Sequence, residues 1–60
     1  MRFEEALKCM REGKKVKLND YIHFIEGKTI YKYHIDDTFK LLGHLNYDEI
    51  MSEDWEVVDE

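Results

Sequence analysis

The chain has 60 residues, one cysteine and a formal net charge of −5 at pH 7. A single cysteine excludes an internal disulfide, and no apolar run approaches the roughly 20 residues that a membrane-spanning helix needs. So negative a chain repels the phosphates of long duplex nucleic acid, which is excluded as a partner. The sequence reads as one domain over 1–60. A chain of this length buries only about 60% of its unfolded surface, so assembly into a homo-oligomer is the expected source of further burial. A lone thiol and no signal peptide point to the cytoplasm.

The charge is unevenly spread. Up to Lys17 there are six bases (Arg2, Lys8, Arg11, Lys14, Lys15, Lys17) against three acids (Glu4, Glu5, Glu12). From Asp48 onward there are seven acids and no base.

Phe3, Ala6, Leu7 and Met10 recur at i, i+3, i+4, i+7, which predicts an amphipathic helix over 3–12. Gly13 is placed to end it in the left-handed conformation. Cys9 sits beside the apolar stripe as a half-buried filler rather than a reactive thiol. Residues 14–18 alternate with period two, Val16 and Leu18 inward and the lysines outward. After a turn or a bulge at Asn19-Asp20, residues 21–25 and 29–33 read as strands joined by a hairpin loop at Glu26-Gly27. Ile22, Phe24 and Ile30 are the expected core residues here, with Tyr21, Tyr31 and Tyr33 sharing the other face. A further turn at Asp36-Asp37 leads to a fourth strand over 39–42, ended by Gly43.

Asn46 followed by Glu49 is a capping-box spacing, flanked by Leu45 and Ile50 as a hydrophobic staple. A helix of one or two turns is expected there. Trp55-Glu56-Val57 then reads as a closing strand that buries Trp55 and Val57. The predicted order is α-β-β-β-β-α-β, an α+β fold with the first helix packed on a small antiparallel sheet.

Catalytic signatures are missing. His23, His34 and His44, with Asp36 and Asp37, match no closed zinc pattern, so no metal site is expected. Cys9 has no residue to orient a histidine base, Ser52 lies in no nucleophile elbow, and the three glycines form no phosphate loop. The chain reads as a non-enzyme without a cofactor. Two features could hold a ligand. Lys14, Lys15 and Lys17 are either an anion-binding cluster or a solvated strand face that guards a sheet edge. Tyr21, Tyr31 and Tyr33 are either stacking partners or a simple cover for the sheet.

The opening Phe3-Glu4-Glu5-Ala6-Leu7, Met10 and Gly13-Lys14-Lys15-Val16 resembles the start of many short phage and prophage proteins. The segment from Asp48 through Trp55-Glu56-Val57-Val58 resembles their ending. Together they resemble the Thoeris anti-defence two family, formerly a domain of unknown function. The middle departs from that family: Lys17 is followed by Tyr21 rather than by a tryptophan, and the central loops are shorter. The resemblance implies a small phage protein that assembles as an oligomer and sequesters a cyclic-nucleotide immune signal without cleaving it. Two other functions stand beside it. One is an inhibitor or adaptor that docks its acidic C-terminal face on a host protein; the other is a structural oligomerisation domain.

Overall fold

The structure, a computed structural model, describes residues 1–58; Asp59 and Glu60 of the acidic run lie outside them. Its elements are α1 (Phe3–Arg11), β1 (Lys15–Leu18), β2 (Tyr21–Glu26), β3 (Thr29–His34), β4 (Leu41–Leu42), α2 (Tyr47–Met51) and β5 (Glu56–Val58). The fold is α+β in the expected order. The five strands form one antiparallel sheet in the order β4-β3-β2-β1-β5. No helix among the described residues is long and apolar enough to cross a membrane.

Helix α1 forms where its apolar stripe demands it. Ala6 and Met10 are fully buried, and Phe3, Leu7 and Cys9 pack at the margin of the same core. The helix ends in a Schellman motif: Lys14 N–H donates to Cys9 O and Gly13 N–H to Met10 O, both at 3.0 Å. Gly13 adopts φ +90, where a side chain is strained. Val16 and Leu18 complete the core from β1.

The late tryptophan is the centrepiece. Trp55 is 1% exposed and packs against the rings of Phe3 at 5.5 Å and His23 at 5.1 Å. Its indole N–H donates to Glu49 O at 2.9 Å, which ties α2 to the core. The Met1 ammonium donates to the carbonyls of Glu53 and Trp55, both at 2.8 Å. The capping box of α2 is formed in full: Glu49 N–H donates to Asn46 Oδ1 at 2.9 Å, and Asn46 N–H to Glu49 Oε1 at 3.1 Å.

Several expectations are corrected. Trp55 precedes β5 rather than lying in it, and Val57 is 40% exposed because β5 is an edge strand with no neighbour on its outer side among the described residues. Ile50 is 43% exposed, so of the staple pair only Leu45 packs against the core. The hairpin loop is Gly27-Lys28, because Glu26 still pairs with Thr29; Gly27 supplies the positive φ, 65°. The fourth strand shrinks to Leu41–Leu42, and Phe39 is left exposed.

The largest correction concerns β2. Leu18 faces the core and pairs with Tyr21 across the Asn19-Asp20 turn. Alternation then sends Tyr21, His23 and Ile25 to the helix-covered side and Ile22 and Phe24 to the other. Ile22 and Phe24 are therefore not core residues. Ile30, paired with Ile25, does pack against the core.

Candidate functional site

The sheet has helices on one face only. Its open face carries Lys15 and Lys17 from β1, Ile22 and Phe24 from β2, Tyr31 and Tyr33 from β3, and Leu42 from β4. The registers Lys17↔Ile22, Ile22↔Tyr33, Phe24↔Tyr31 and Tyr31↔Leu42 place these residues on a common side. Phe24 stacks on Tyr31 at 5.8 Å with 29° between the planes, and meets Tyr33 at 6.0 Å. The Lys15 ammonium lies 5.9 Å from the Phe24 centroid and 5.7 Å from that of Tyr33. Lys40 lies 4.4 Å over Tyr31 and pairs with Glu26 at 3.1 Å. All three contacts are within the range of cation–π attraction.

Four of the six residues singled out from the sequence thus meet on one surface: Lys15, Lys17, Tyr31 and Tyr33. The other two do not join them. Lys14 stands before β1 and pairs with Glu12 at 3.7 Å. Tyr21 is on the helix-covered side, edge-on to His34 at 5.3 Å with Lys32 4.9 Å above its ring. Phe24 and Lys40 belong to the surface and were missed. Counting alternate positions outward from Gly27-Lys28 is the signal that finds Phe24; Lys40 lies past the next turn, and no alternation in that hairpin reaches it.

The arrangement suits a planar anion. Flat rings offer stacking surface to a base, worth about 1–3 kcal/mol per stacked base. A flanking ammonium offers charge to a phosphate. No protein family, curated protein or solved structure matches the chain.

Two other places hold polar chemistry. A groove of about 360 Å³ runs between the start of α1 and α2, with Phe3, Ile50 and Met51 along it and the Arg2–Glu53 pair (3.3 Å) at its rim. His23 is wholly buried, and neither ring nitrogen has a hydrogen-bond partner among the described residues. Burial holds its imidazole below the usual histidine value, with the Lys32 charge acting in the same direction. Glu49 and the Tyr21 backbone oppose this, the latter without reaching hydrogen-bond geometry. His34 Nδ1 accepts from Asp36 N–H at 3.1 Å. No group of three or more His, Cys, Asp or Glu side chains is arranged to hold a metal among the described residues.

Proposed function

We propose that this chain is a phage-encoded, non-enzymatic binding protein of the anti-defence type, which sequesters a small cyclic-nucleotide immune signal on its open sheet face in the host cytoplasm. The observation that carries the reading is the Lys15 ammonium set beside Phe24 and Tyr33, with Tyr31 stacked alongside. Base stacking on the rings and phosphate contact with Lys15 and Lys17 would retain such a ligand, and the reading invokes no bond-breaking group. The resemblance of both ends of the chain to the Thoeris anti-defence two family supports the same reading. Calorimetry against a panel of cyclic mono- and dinucleotides tests it. Binding is expected, weakened roughly tenfold or more by Lys15→Glu, as the loss of a charge-assisted contact implies. Absence of heat across the panel at high protein concentration, or equal affinity in Lys15→Glu and Tyr33→Ala, removes the proposal.

A second reading rests on the opposite edge of the sheet. β5 is an edge strand bearing exposed Glu56, preceded by exposed Glu53 and Asp54. An acidic edge of this kind would dock on a basic host protein. Capture of one host protein from lysate, lost at raised salt, would favour this reading over the nucleotide.

A further inference from the structure

We propose that His23 is a proton-operated release for Trp55: charging the imidazole frees the segment from α2 through β5 while β1, β2 and β3 stay paired. His23 is 0% exposed, and its nitrogens have no hydrogen-bond partner among the described residues. A neutral ring tolerates this at modest cost; an imidazolium carries two N–H donors and a charge that both require partners.

Little around it can supply them. On β1 its cross-strand neighbour is Val16, and on β3 it is Lys32, another cation. Helix α1 brings Ala6 and Met10 to the same core, with the Cys9 thiol at the margin. The Trp55 ring lies against it edge-to-face at 5.1 Å, and the Met1 ammonium is held on the Trp55 carbonyl. The acid that acts on His23 is Glu49. Its carboxylate already accepts Asn46 N–H in the capping box. Its carbonyl holds the Trp55 indole. If Glu49 turns to the imidazolium, its half of the α2 capping box is lost; if it does not, the charge stays unpaired. Either route loosens the same segment.

Apart from Trp55 itself, that segment is thinly held. α2 has five residues, too few to persist without tertiary support, and β5 has three at a sheet edge. β2, by contrast, is paired along both sides.

The sign follows from linkage. Burial lowers the folded-state pKa of His23 below the usual 6.5. The closed state is therefore fully favoured above about pH 6.5 and loses ground as pH falls below it. Trp55 is the sole tryptophan, so its emission reports the segment directly. Between pH 7.5 and 5, above the range where most carboxylates titrate, wild-type emission is expected to shift to the red and to become accessible to acrylamide. Far-ultraviolet circular dichroism should retain the sheet signal. His23→Leu should abolish the shift, while His34→Gln should keep it. If His23→Leu does not fold, His23→Met serves the same purpose. A wild-type Trp55 that stays blue and shielded at pH 5, or a red shift that persists without His23, overturns the proposal.

Discussion

A methyl group added at Gly43 would sit 2.9 Å from Ile30 Cγ2 and 3.2 Å from the Ile30 carbonyl oxygen. The same carbonyl accepts Gly43 N–H at 2.9 Å, so the two backbones cannot separate without losing that bond. Gly13 is the reverse case: nothing lies within 4 Å of its would-be Cβ, but its φ is +90. Crowding and strain predict different substitution patterns. Gly43→Ala should cost about 1–3 kcal/mol through overpacking, and Gly43→Asn more. Gly13→Ala should cost about 1–2 kcal/mol through backbone strain, and Gly13→Asn less, because asparagine tolerates the left-handed region. Urea midpoints for the four variants check the order. Asn19 already occupies that region, at φ 55, in the turn that sets the register of β2.

Among the elements, α2 depends most on its cap. Five residues leave few internal hydrogen bonds, so the Asn46–Glu49 box and the indole bond to Glu49 O do most of the holding. Asn46→Ala should cost about 1 kcal/mol and hasten hydrogen exchange in α2 ahead of β2 and β3; uniform exchange across the chain would contradict this. The box is legible in the sequence because its partners lie three residues apart. So is the end of α1, where Gly13 follows the last apolar turn. The face of β2 is not legible in that way. Tyr21-Ile22-His23-Phe24-Ile25 is apolar or aromatic at both parities, and hydropathy favours Ile22 and Phe24 inward. The Leu18↔Tyr21 pairing decides otherwise and buries a histidine. The same shift moves Tyr21 off the candidate surface and brings Phe24 onto it. Lys15, Lys17, Tyr31 and Tyr33 were found because β1 and β3 have one clear alternation each. Val57 and Ile50 misled for a different reason: their apolar character says nothing of how little cover an edge strand or a five-residue helix receives.

At the scale of the whole molecule, the two edges of the sheet differ in character. Phe39, Leu41 and Leu42 are 71%, 45% and 55% exposed along the β4 edge. Lys40 is the sole formal charge over residues 38–45 and is paired with Glu26. The β5 edge carries the acids. Two copies of so acidic a chain would meet with least repulsion β4 to β4, burying those side chains and joining their open faces. Sedimentation should therefore give a mass above 7.3 kDa, falling to that of the monomer in Leu42→Lys. A wild-type chain that stays monomeric at every concentration would remove the homo-oligomer.

The pairing of β5 with β1 has a consequence for how the chain folds. β2 and β3 zip from a two-residue loop, a local event on the microsecond scale. Val16 and Val57 stand roughly forty residues apart, and bringing them together must cost loop-closure entropy before any contact repays it. The nucleus should then form around the central hairpin, and substitutions in β5 should accelerate unfolding while leaving the refolding rate nearly untouched.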